Sequence, residues 1–134
     1  MKKGQVSIEF VITVGFALLI LIPLTVLLYE HTSKTYDDVN NNQAGLIARK
    51  IADNANSVYY LGHPSIVTLK VYMPDTIESI NLSGREIIFT LENGNEIAGL
   101  ANVNLSGDLS SGSGLKIIKI AAMENYVNIT EDVE

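Results

Sequence analysis

Three patterns of hydrophobic and polar positions follow one another along the chain. From Phe10 to Tyr29 no residue is charged, and most are Val, Ile, Leu or Phe. A bilayer core of about 30 Å needs roughly 20 helical residues, so this run is long enough to span one. From Asp37 to Leu61 the positions Val39, Gln43, Leu46, Ile47, Ile51, Ala55 and Val58 recur at threes and fours, which predicts one amphipathic helix. Asn40-Asn41-Asn42 and Gly45 weaken it locally, because asparagine competes for backbone partners and glycine is a poor helix former. Gly62-His63-Pro64 reads as its stop.

From Ser65 the period becomes two. Val67, Leu69, Val71 and Met73 alternate with Thr68, Lys70 and Tyr72, the pattern of a half-buried strand. Pro74-Asp75 turns into a strand from Ile77 to Leu82, and Ser83-Gly84 into another from Glu86 to Leu91. Asn93-Gly94 is the strongest hairpin signal and leads to a strand over Glu96 to Leu100. Asn102 to Gly114 is loop-like, with Ser110 to Gly114 as a flexible stretch. Leu115 to Met123 predicts a further strand and Tyr126 to Ile129 a short last one, with a fraying acidic tail from Thr130. The expected class is α+β: a long N-terminal hydrophobic helix continues into an amphipathic helix packed on a small antiparallel meander of four to six strands.

The chain has 134 residues, room for one compact domain. With the first third occupied by the apolar helix, what remains buries a modest core near the lower limit of independent stability. Cysteine is absent, which removes disulfides and thiolate chemistry. The net charge of −6 argues against nucleic acid, whose phosphates demand a basic face. A chain this small cannot bury the Phe10 to Tyr29 helix by itself, so a membrane or a bundle between subunits must cover it. Lys2 and Lys3 on its short N-terminal side place that end inside the cell and the remainder outside. An ordinary secretory signal has a shorter apolar region and a small-residue cut site, and Tyr29-Glu30-His31-Thr32 offers none. A plain single-pass anchor fits length and orientation equally well.

Catalytic and metal-binding patterns are missing from the sequence. His31 and His63 have no ligand partners at metal spacing and read as surface residues. Asp37-Asp38 reads as a charged helix face. No Gly-x-Ser-x-Gly elbow and no phosphate-cradling glycine loop occurs. The expectation is a protein that is not an enzyme and uses no metal or cofactor.

The segment ahead of the apolar run is Lys2-Lys3-Gly4-Gln5-Val6-Ser7-Ile8-Glu9-Phe10. A carboxylate at the edge of an apolar helix is costly unless neutralised. Glu9 is the fifth residue counted from Gln5. A cut after Gly4 would create an α-amine at Gln5 one helical turn away, and in staggered helices that amine reaches the Glu9 of a neighbour. Glu9 by itself also fits an acid at a helix N-terminus, held at headgroup level by the helix dipole. Ser7 by itself is a common helix-start residue.

This segment resembles archaeal type IV pilin-like proteins with class III signal peptides. The resemblance rests on Lys-Lys-Gly, then Gln-x-Ser-x-Glu, then a hydrophobic helix, with Lys2, Lys3, Gly4, Gln5, Ser7 and Glu9 as the matching positions. The family often continues with Tyr and, three residues later, Leu, where this chain has Phe10 and Thr13. The resemblance implies a prepilin peptidase that cuts between Gly4 and Gln5 on the cytoplasmic side, and a retained helix that packs into a filament core. The organisation it implies is a leader over 1–4, a membrane helix over 5–29, an amphipathic helix over 30–62 and an exported β-domain over 63–134. Expected partners are the peptidase, other pilin subunits in a homo- or hetero-polymer, the membrane and the pilus assembly machinery. The alternative is a membrane-anchored extracellular binding module that does not polymerise.

Pro23 removes one helical hydrogen bond. The family associates a proline here with a bend or melted stretch, and a plain kink covered by neighbouring helices fits equally. Asn81-Leu82-Ser83, Asn104-Leu105-Ser106 and Asn128-Ile129-Thr130 have the spacing of N-glycosylation acceptors, all in the half expected outside the cell.

Overall fold

The structure, a computed structural model, describes residues 2–133, and side chains from residue 4. The chain divides into two compact units, Met1–Asp38 and Val39–Glu134. One helix, α1 (Lys2–Leu61), carries the first unit and enters the second. Within the first unit every described side chain is exposed. Helical backbone continues through Pro23, which has no N–H to give to the carbonyl one turn earlier. The hydroxyls of Thr13, Thr25, Thr32 and Thr35 donate back to the carbonyls of Glu9, Leu21, Leu28 and His31 at 2.8–2.9 Å. Each threonine thereby satisfies its polar group inside the helix itself.

In the second unit, Ala44, Ala48, Ile51, Ala52, Ala55 and Val58 form the buried face of α1. Four of these are alanines, so the helix backbone can approach a sheet closely. The asparagine run stays helical, and Asn40 is itself buried. Gly62 ends the helix with φ of 85°, its N–H bonded to the carbonyls of Val58 and Tyr59 at 3.1 Å. That is the left-handed glycine stop the sequence predicts.

Seven strands follow: β1 (Ile66–Met73), β2 (Ile77–Ser83), β3 (Glu86–Leu91), β4 (Glu96–Leu100), β5 (Leu105–Asp108), β6 (Gly114–Ala122) and β7 (Val127–Asp132). The α+β class is as expected, but in place of a single meander of four to six strands there are two sheets, and only β2-β3-β4 is a meander. The other strands form a second sheet in the order β1-β6-β7-β5, in which β5 runs parallel to β7. The stretch read as loop therefore contains a strand, and the acidic tail read as fraying pairs through Asp132. Inward residues include Leu69, Met73, Ile87, Phe89, Ile118 and Ile129, which share one core with the helix alanines and Ile51. Each such side chain contributes roughly 1.5–3 kcal/mol on burial.

Candidate functional site: the unburied helix and the faces of the β-unit

The sites expected near the N-terminus lie along one exposed helical rod. Gly4, Gln5, Ser7 and Glu9 all sit on α1, exposed. Lys2 and Lys3 lie in the same helix, and their side chains are outside the described residues. A Cβ added at Gly4 or Gly15 would meet no atom within 4 Å, so neither glycine is required by packing within the chain. From Val6 to Leu28 the large apolar side chains stay 40–68% exposed. Tyr29 and Tyr36 follow at the polar end, where rings with a hydroxyl tip suit a membrane–water boundary. This helix is a candidate membrane anchor by length and composition.

The β-unit carries a polar cluster that sequence reading did not single out. Lys116 lies on the core side of β6, 5% exposed, with its Nζ donating to the carbonyl of Ser110 at 2.6 Å and to its hydroxyl. The same ammonium is 3.2 Å from Oε2 of Glu131 on β7. The Ser110 hydroxyl donates to that oxygen at 2.6 Å, and its N–H at 3.2 Å. The hydroxyl of Ser110, then the Lys116 ammonium, hold the Glu131 carboxyl below its ordinary range against the opposing effect of burial. Serine beside lysine is a pairing met in nucleophilic chemistry, but here the Ser110 hydroxyl donates to Glu131 and the Lys116 ammonium donates to the Ser110 oxygen. The cluster pins the 109–113 loop across the sheet end.

Two grooves flank the exposed side of α1 in this unit. One, of about 450 Å³, lies against β4 and is lined by Asn41, Asn42, Gly45, Leu46, Arg49 and Ile97. The other, of about 250 Å³, lies against β1 and is lined by Leu46, Ile47, Lys50, Lys70, Val71 and Tyr72. Leu46 borders both, and neither is lined by an acid. Oδ1 of Asn41 is buried with no partner among the described residues. On the far side of the meander, Glu86 pairs with Leu100, Ile88 with Ala98 and Thr90 with Glu96.

His31 is exposed on α1. His63 is more engaged than a bare surface residue, since its Nδ1–H donates to the carbonyl of Ala122 at 3.0 Å. Among the sequon asparagines, Asn81 on β2 and Asn104 ahead of β5 are exposed, while Asn128 is half-buried on β7, between β6 and β5. No family model, curated protein or solved structure matches the chain.

Proposed function

We propose that this chain is a structural subunit of a type IV pilin-like filament, cut between Gly4 and Gln5 by a prepilin peptidase and polymerised through α1. The observation that carries this reading is the exposed apolar length of α1 from Val6 to Leu28, which nothing among the described residues covers. Lipid covers it before assembly, and the same helix from other subunits covers it afterwards.

Two details favour a bundle as the final cover. Gly15 leaves a notch in the apolar surface that no atom of this chain fills, the kind of position at which helices approach closely in lipid. Gly4 is held by no packing contact, which suits a position read by a peptidase. Glu9 then meets the new Gln5 amine of an adjacent subunit, two charges each expensive alone in apolar surroundings. The β-unit stays outside the cell and makes the surface contacts of an adhesion-type fibre. The subunit acts with the assembly machinery and has no catalytic role.

N-terminal sequencing of native protein tests the reading: a filament subunit begins at Gln5. Glu9→Gln leaves cleavage intact and lowers filament yield. Recovery of uncut protein dispersed in membranes, with no fibres, would favour the anchored binding module and overturn the proposal.

A further inference from the structure

The β-unit carries two surfaces of opposite character on opposite sides of its meander. On the helix side, Leu46 stands between the two grooves, 66% exposed, with Arg49, Lys50 and Lys70 around it and Tyr72 at the margin. Three cations without a lining acid are conspicuous in a chain of net charge −6. Asp53 lies one helical turn beyond Arg49 and pairs with none of the three, since Lys116–Glu131 is the one ion pair among the described residues. On the outer side, Leu100 is 68% exposed and Ile88 and Ala98 lie beside it, with Glu86 and Glu96 at the two ends of the paired β3 and β4 segment. Arg85 precedes Glu86 in the β2–β3 turn and forms no ion pair with it. Each patch is an apolar centre bordered by charge, and the charges are opposite.

The helix covers the inner face of the meander at Gly99, so the acidic patch faces away from it. We propose that a second copy of this chain docks its Glu86/Ile88/Glu96/Leu100 face onto the Leu46/Arg49/Lys50/Lys70 surface of the first. The contact deepens the filament reading and rests on it. Because the two patches are different surfaces, the contact is head-to-tail, and such contacts propagate as an open helical array and do not close as a dimer. Leucine and tyrosine supply the apolar centre, and the surrounding charges set register and exclude like-charged approaches.

The absence of native cysteine makes a direct test available. Full-length Leu46→Cys, Leu100→Cys and the double variant are expressed in the native host, and isolated filaments are treated with a short bis-maleimide. The double variant is expected to give a ladder of covalent multimers. Co-assembled single variants are expected to stop at dimers, and each single variant alone to remain monomeric. As a second arm, Lys50→Glu with Lys70→Glu should reduce filament yield about tenfold. Adding Glu86→Lys and Glu96→Lys to the same chain should restore it. Filaments with no ladder and no charge dependence would overturn this contact and leave the filament reading standing. Dimers from Leu46→Cys alone would also overturn it, because they require a symmetric contact. A wild-type chain that forms no filaments would overturn both.

Discussion

Replacing Gly99 with alanine is expected to loosen the helix from the meander. A Cβ there would stand 2.5 Å from the carbonyl oxygen of Ala48, 2.7 Å from its carbon and 2.9 Å from Cγ2 of Ile87. Ordinary contact begins at 3.4 Å, so the obstruction is most of an ångström deep and mainly against backbone. No rotamer change can relieve it, and α1 must retreat. A radial gap of 0.5–1 Å forfeits roughly a quarter to a half of each contact's dispersion energy, and Ala44, Ala52 and Ala55 share the same seam. Overpacking of this kind costs about 3 kcal/mol, the upper end of its usual range. For a unit of this size that lowers Tm by roughly 15 °C. Gly45→Ala supplies the contrast, because its Cβ would meet only Cγ2 of Ile97 at 3.7 Å, an ordinary contact. Relief of the glycine penalty should then raise stability by up to about 1 kcal/mol. Thermal unfolding of full-length protein in detergent, followed by far-UV circular dichroism, measures both. Equal stability of Gly99→Ala and wild type, or a loss in Gly45→Ala as large as in Gly99→Ala, would refute the packing argument.

Further outcomes follow from the polar groups. Glu131→Gln leaves the Lys116 ammonium short of its counter-charge and should destabilise by about 2 kcal/mol, whereas Lys116→Met removes the buried charge and should cost less. The folded Glu131 pKa is depressed, so its contribution is complete above the ordinary carboxylate value and disappears as pH falls through the lowered one. The Tm gap between wild type and Glu131→Gln should therefore narrow in that acid window; a constant gap would contradict the linkage. Peptide mass analysis of native protein is expected to find any glycan at Asn104. Asn81 pairs with Ile88 on the face proposed to dock, and Asn128 is half-buried on a strand between two others. Modification confined to Asn128 would contradict that ordering.

Much of the β-unit was legible because one side of each strand faces apolar side chains and the other faces solvent. The bounds of β3 and β4 match the period-two reading, and Gly94 takes φ of 83° at the tip of the hairpin. β5 was not legible. Ser106-Gly107-Asp108 has turn composition, and its strand conformation depends on β7, distant in sequence. Gly107 sits at φ of 131°, and any Cβ there would overlap the carbonyl of Ile129, a requirement visible only once the two strands are side by side. The order of the tail has a related cause: Glu131 reads as a solvated acid until its strand lies beside β6, opposite Ile118 and diagonal to Lys116. A signal for Lys116 was present, since it shares parity with Ile118, Ile120 and Ala122 on the inward side of β6. The grooves were invisible because Ile97 meets Arg49 only when β4 lies against the helix, and Lys70 meets Lys50 only when β1 does.

The order of strands in the larger sheet sets a schedule for synthesis. β1 is made early, yet its partner β6 comes only after the whole meander, and β7, made last, must slot in beside β6 before β5 gains its strand partner in that sheet. Until Val127 onwards has left the ribosome, β6 and β5 each lack the strand that lies between them, an open edge and a hazard for sticking to other chains. A premature stop ahead of Tyr126 would thus remove more than a tail. It would delete an interior slat of the sheet and strand the segments made before it.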